Sequence, residues 1–153
     1  MSDYETDLAE VCSHLNREGA RYVLVGARAL QLWGSSRATR DIDILIEPTE
    51  DNAGRVLRAL GDVGFGFAKE WNAEEVARRH VTIIGDMPRV DIMTIAWSVK
   101  YHQAVPTATT FEVEGVPIPT ISIDHLIASK RTGRLQDAAD IEVLEEIKRL
   151  RGL

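Results

Sequence analysis

Cysteine is almost absent: Cys12 is the only one. That excludes an intramolecular disulfide and a zinc site built from cysteines, and leaves Cys12 as a small packing residue on a first helix. Long apolar runs are missing too. No stretch approaches the roughly 18 residues that a bilayer-spanning helix needs. The opening MSDYETDLAEV lacks a basic segment leading into an apolar one. A signal peptide is therefore not expected, a cytoplasmic location is, and no membrane role is foreseen. Positive charge is in deficit, with 18 Lys and Arg against 24 Asp and Glu and a net charge of −6. The surface as a whole does not invite nucleic acid, although one basic face is compatible with any net charge. Aromatic residues make up only 6% of the chain, while 44% is hydrophobic and 27% charged. These proportions belong to a globular chain, and 153 residues are enough to bury a core without cross-links.

Periodicity organises what remains. Leu8, Val11, Cys12 and Leu15 share one helical face, stopped at Gly19. RYVLVG is a Val-rich run that predicts a buried strand ending at Gly26. ARALQLWG predicts a short helix closed by Gly34, and SSRATR a polar loop. DIDILIE predicts a second strand, and Pro48 and Thr49 open a helix with Val56, Leu57 and Leu60 inward. FGFAKEW reads as a short strand or an irregular link, and AEEVARRH as a helical turn. VTIIGD and RVDIMTIA predict an antiparallel hairpin turning at GDMP. Two short strands follow around Gly115. IDHLIASKRTG predicts a helix capped by Ser122 or Asp124. A last helix carries the stripe Ala138, Ile141, Leu144, Ile147 and Leu150. The order of elements implies a mixed α+β domain, helices packed on a small mixed sheet.

Two acids interrupt this pattern. Asp41 and Asp43 stand at the entrance of the second strand, one residue apart. Alternating side chains put them on one face, about 7 Å apart. Like charges at that spacing repel, more so when buried. The pair is tolerable in water, beside Arg37 or Arg40, or around a cation. Asp91 inside RVDIMTI adds a third carboxylate on another strand. Three acids on neighbouring strands make a hard oxygen site suited to Mg²⁺. Upstream, Gly26 sits between a strand and a short helix whose N-terminal N–H groups suit a phosphate.

Val25-Gly26-Ala27, a spacer over residues 28–40, Asp41-Ile42-Asp43 and a later Asp91 resemble the signature of the nucleotidyltransferase superfamily typified by DNA polymerase beta. VGARALQLWGSSRATRDIDILIEPT, VDIMT and ISIDHLIASKRTGRLQDAADIEVLEEI are similar to the minimal nucleotidyltransferases of the AbiEii toxin type. The likeness runs from about residue 20 to 148. It implies a nucleotidyltransferase fold over one unit, 1–153, with C-terminal helices at about 122–150 packed on it. It implies transfer of an NMP from an NTP to an acceptor hydroxyl of a tRNA, a protein or a small molecule, dependent on Mg²⁺ or on Mn²⁺ in its place. Asp41, Asp43 and Asp91 would be catalytic and bind the metal. Gly26 would let the triphosphate approach the backbone. Lys130 would contact nucleotide phosphates, and Asp137 and Asp140 match the acids of the R-x-x-D-x-x-D helix start. Ala27 departs from the Gly or Ser usual at its position, which leaves backbone contacts but no hydroxyl for a phosphate. A toxin role would bring an antitoxin partner, and a partner chain or a homodimer would complete the acceptor site.

The plain readings stand beside these. Arg37 and Arg40 either balance the acids or touch the triphosphate. Lys130 is a solvated lysine at a helix end or a phosphate ligand, and Asp137 and Asp140 favour a helix dipole by position alone. His14, His80, His102 and His125 have no metal-ligand spacing. Trp33, Trp71 and Trp97 are expected to pack rather than to stack on bases. KRTGR, 130–134, is a small basic cluster of the kind that is commonly only a solvated loop. A binding module that kept the fold without turnover is the alternative to an enzyme, and a structural protein with its acids in salt bridges is the third reading.

Overall fold

A computed structural model describes residues 3–153, with side chains from residue 7 onward, so the first two residues of the expected 1–153 unit lie outside it. Its strands are β1 (Tyr22–Val25), β2 (Ile42–Ile46), β3 (Val81–Ile84), β4 (Val90–Met93), β5 (Thr109–Val113) and β6 (Val116–Thr120). They form one mixed sheet in the order β3-β4-β2-β1-β6-β5. The helices are α1 (Asp3–Arg17), α2 (Gly26–Trp33), α3 (Glu50–Val63), α4 (Ala73–Arg78), α5 (Tyr101–Ala104), α6 (Ile123–Ser129) and α7 (Leu135–Arg151). The fold is the expected α+β arrangement, a small mixed sheet flanked by helices.

The centre of the sheet explains the apolar runs. β1 is antiparallel to β2 and parallel to β6, so its four residues have strands on both sides and are all buried. β2 is in turn parallel to β4, with Ile42, Ile44, Leu45 and Ile46 fully buried. Each such aliphatic side chain contributes about 1.5–3 kcal/mol relative to an exposed one. α1 packs on α3 and β6. Its expected face, Leu8, Val11, Cys12 and Leu15, is buried as a unit. Thr49 caps α3 by accepting from the Asn52 N–H, and Ser122 caps α6 by accepting from the His125 N–H.

The edge of the sheet is less regular than the sequence suggests. FGFAKEW contains a 3-10 helix at Gly66–Glu70, and AEEVARRH contains α4, capped by Asn72. The hairpin β3–β4 is antiparallel as expected, but β4 stops at Met93. The rest of RVDIMTIA leaves the sheet and enters a tight turn closed by paired bonds between Ala96 and Val99. α5 follows where no helix was expected, because four residues carry too little periodicity to show.

α7 needs a larger correction. Leu144 is buried and Ile141 and Ile147 are partly so, but Ala138 and Leu150 are exposed. The inward face begins instead with Asp137 and Asp140, at 5% and 3% exposure. Apolar periodicity cannot find a buried face made of carboxylates. None of the helices among the described residues is long and apolar enough to cross a membrane.

Candidate active site

The antiparallel and parallel ladders around β2 set the acids. Val25 is opposite Asp43, and Asp43 is in register with Asp91 on the parallel neighbour β4. Neighbouring strands are about 4.8 Å apart, so the two carboxylates stand side by side on one face. Asp41 precedes β2 and is half exposed. All three acids line one cavity of about 310 Å³, with Ala27, Arg37, Thr39, Arg89 and Lys130 also in its wall.

Gly26 is explained here. It has φ +69, and a Cβ on it would lie 2.0 Å from Asp43 Oδ2. The glycine is what lets the Asp43 carboxylate fit against the start of α2. No side chain caps that helix, whose N-cap is Val25. Its first N–H groups therefore lack a side-chain acceptor beside the cavity.

Asp43 is raised from its usual value to about 7. Burial is the main cause, followed by the charge of Asp91; Asp41 adds to it, while Lys130 and Arg89 oppose it. Arg89, which the sequence did not single out, spans the other two acids. Its Nη2 donates to Asp91 Oδ2 at 3.1 Å, and its Nε lies 3.0 Å from Asp91 Oδ1 and 3.9 Å from Asp41 Oδ2. Asp91 Oδ1 is buried and, despite that ion pair, accepts no aligned hydrogen bond. The Arg89 guanidinium is raised by this contact with Asp91.

A second charge cluster adjoins the same cavity. Asp140 Oδ2 takes Arg37 Nη1 at 2.6 Å and Lys130 Nζ at 3.1 Å. Gln136 donates to its other oxygen. Asp137 takes Arg134 Nε at 2.8 Å, Lys130 Nζ at 3.7 Å and the Thr132 hydroxyl. Burial raises the Asp137 pKa, but the bonds from Thr132 and Arg134 and the Lys130 charge outweigh it, leaving a net lowering. Asp137 and Asp140 thus hold Lys130 and Arg37 in place, which surface dipole compensation would not require.

Most of the expected site residues converge. Asp41, Asp43, Asp91, Ala27, Arg37, Lys130 and Asp137 line the acid cavity. Gly26 lines a second one of about 260 Å³, which shares Asp43, Lys130, Arg134 and Asp137 with the first. Arg40 is placed elsewhere, its Nη2 3.5 Å from Asp7 on α1 and outside both walls. Among the cavity residues beyond those expected, Arg89, Thr132 and Arg134 come from charged loops, and Met93, Ala96 and Trp97 from β4 and the turn after it. Of them, the KRTGR cluster carried a signal at Thr132 and Arg134.

The donor set suits a hard cation in part. Among the described residues no group of three His, Cys, Asp or Glu side chains is arranged to hold a metal ion. Asp43 and Asp91 do fit one, with paired carboxylates, mutual repulsion and one buried oxygen lacking a hydrogen bond. Arg89 sets the limit, since it engages Asp91 and reaches Asp41.

The fold has solved counterparts. An antigenic nucleotidyltransferase-like protein from Paracoccidioides brasiliensis aligns with a TM-score of 0.62 at 14% identity, covering 97% of this chain and 76% of that one. The lincosamide antibiotic adenylyltransferase LnuA, bound to lincomycin, aligns with a TM-score of 0.60 at 16% identity, covering 96% and 98%. At such identities the likeness concerns the fold. No curated protein matches the sequence. The aligned acids, the glycine that admits Asp43 and the anchored lysine lie within residues 4–152, which match the family described as nucleotidyl transferase of unknown function (DUF2204), and the chain belongs to that family.

Proposed function

We propose that this chain moves a nucleoside monophosphate from an NTP to an acceptor hydroxyl and releases pyrophosphate. The observation that carries the reading is the in-register pair Asp43–Asp91 with Gly26 and Lys130, around two adjoining cavities that share Asp43 and Lys130. Asp43 and Asp91, with Asp41 as the third acid, would hold Mg²⁺. When bound, the ion would neutralise phosphate charge and stabilise the attacking and leaving oxygens. Lys130 and Arg37 supply positive charge in the same cavity, and Asp140 orients both. The start of α2 offers N–H groups to the leaving phosphates. Asp91 would accept the proton of the acceptor hydroxyl. The acceptor oxygen then forms a bond to the α-phosphorus as the bond to the β-phosphate oxygen breaks. Catalysis of this kind is mostly positioning and electrostatics.

LnuA supports a small-molecule hydroxyl as acceptor, because it is an adenylyltransferase of nearly the same length on this fold. RNA or protein acceptors, as in a toxin role with an antitoxin partner, are separated from it by an acceptor screen with labelled NTP. The deciding experiment measures label transfer and pyrophosphate release with Mg²⁺ in wild type, Asp43→Asn and Asp91→Asn. Loss of both signals in both variants, with the fold intact by circular dichroism, is the expected result. Full-rate transfer by either variant would sink the assignment. A binding module is the second reading, favoured by Ala27 and by the Arg89 contacts with Asp91 and Asp41. Nucleotide binding without pyrophosphate release would establish it.

A further inference from the structure

Trp97 is in a place that neither local propensity nor core packing explains. Ala96, Trp97, Ser98 and Val99 form a tight turn, with Ala96 N–H to Val99 O at 2.8 Å and the reverse bond at 3.0 Å. Both ends are buried, Ala96 at 4% and Val99 at 3% exposure, so the turn is anchored. Trp97 takes its first inner position with φ 57. Two-residue turns of this kind favour Gly, Asn or Asp there, since a positive φ crowds a Cβ. A bulky side chain in that region is a true outlier. Burial does not compensate, because Trp97 remains 59% exposed.

The other two tryptophans behave differently. Trp33 is buried, donates its indole N–H to the Ile121 carbonyl at 2.9 Å and meets Phe111 edge-on. The Trp71 ring lies under the Arg79 guanidinium. For Trp97 no aromatic or cationic ring partner occurs among the described residues. Trp97 instead lines the 260 Å³ cavity with Met93, Ala96, Gly26, Asp43 and Lys130. Strained backbone that holds an exposed group at a site is a common mark of ligand contact.

We infer that Trp97 stacks on the nucleobase of the bound nucleoside triphosphate. This rests on the nucleotidyl-transfer reading and deepens it. The two cavities meet at Asp43 and Lys130 and differ in their outer walls. Asp41, Asp91 and Arg89 line only the charged one, which is where the acceptor hydroxyl is to be activated. Met93, Ala96 and Trp97 line only the other, whose apolar wall suits a flat heteroaromatic ring attached to phosphates at Gly26 and Lys130. An indole face accepts any base, so the contact adds affinity without choosing among the four.

The test uses the full chain with Mg²⁺ and titrates the four α,β-methylene nucleoside triphosphates, and inorganic tripolyphosphate, by calorimetry. Variants are Trp97→Gly, Trp97→Phe and Asp43→Asn. Trp97→Gly removes the ring and relieves the left-handed backbone, so it is expected to unfold no earlier than wild type. It should bind the nucleotides at least about fivefold more weakly, the lower end of base–aromatic stacking, and bind tripolyphosphate unchanged. Trp97→Phe should restore most of the nucleotide affinity. Unchanged nucleotide affinity in Trp97→Gly, while Asp43→Asn loses binding, would overturn the stacking assignment and leave nucleotidyl transfer standing. Equal loss of tripolyphosphate and nucleotide would also overturn it, since the ring would then only support the phosphate site. A wild type that binds no nucleoside triphosphate overturns both.

Discussion

Replacing Asp43 by Asn should stabilise the folded protein, and the gain should grow with pH. The Asp43 carboxyl is raised from 3.8 to about 7 by burial, then by the charge of Asp91, with Asp41 adding to it. Below the unfolded value both states hold the proton and the group is neutral in the balance. Between the two values the folded chain keeps a proton that the unfolded chain has lost. Stability therefore falls as pH rises through this window, and the loss is complete above about 7. Each pH unit within the window corresponds to about 1.4 kcal/mol. The full cost of ionising Asp43 is thus about 4 kcal/mol, of which some 2–3 kcal/mol accrues between about pH 5 and pH 8. Asparagine keeps the shape and has no proton to lose. Urea unfolding of wild type and Asp43→Asn at those two pH values, without divalent metal, reads the effect directly. Constant differences, such as a changed hydrogen bond, cancel when the gap at one pH is subtracted from the gap at the other. A gap that stays the same within about 0.5 kcal/mol would refute the account of a buried, mutually repelling carboxylate pair.

Other outcomes follow from the same geometry. Gly26→Ala places a methyl group against Asp43 Oδ2 at φ +69, so it should lower stability by about 1–3 kcal/mol or more and cost clearly less in an Asp43→Ala background; thermal unfolding of the double-mutant cycle checks this, and equal costs would argue against the clash. Lys130→Met leaves Asp137 and Asp140 buried with one cation fewer; about 2–4 kcal/mol of destabilisation is expected, much of it recovered by adding Asp140→Asn, and an unaltered unfolding midpoint would return Lys130 to a solvated role. Arg89→Gln removes the cation that engages Asp91 and reaches Asp41, so Mn²⁺ should bind more tightly by calorimetry; unchanged or weaker binding would mean that the acids are not its site.

The apolar skeleton was legible because burial imposes a period. α1, β1 and β2 were readable from Leu8, Val11, Cys12, Leu15, Val23, Val25 and Ile44, and the fold class followed from their order. The acids were legible for the opposite reason, since Asp43 and Asp91 interrupt runs that otherwise bury. Periodicity failed where a buried face is charged: Asp137 and Asp140 occupy the inward side of α7 that Ala138 was expected to take. It failed also at Arg89, whose position between two acids depends on the β3–β4 turn and not on any spacing.

Local rules alone tie Asp41 and Asp43 to the strand–glycine–helix unit before them: strand alternation puts the two acids on one face, and the turn into the helix needs a glycine. That Asp43 and Asp91 lie in register comes from the fold, since register belongs to a pairing between strands far apart in the chain. The fold also makes room for a carboxylate at Gly26, turns Arg40 toward α1, and leaves Trp97 exposed in a strained turn beside the site while Trp33 packs. Two tryptophans look alike in a sequence. Which one meets solvent depends on what the rest of the chain places over it.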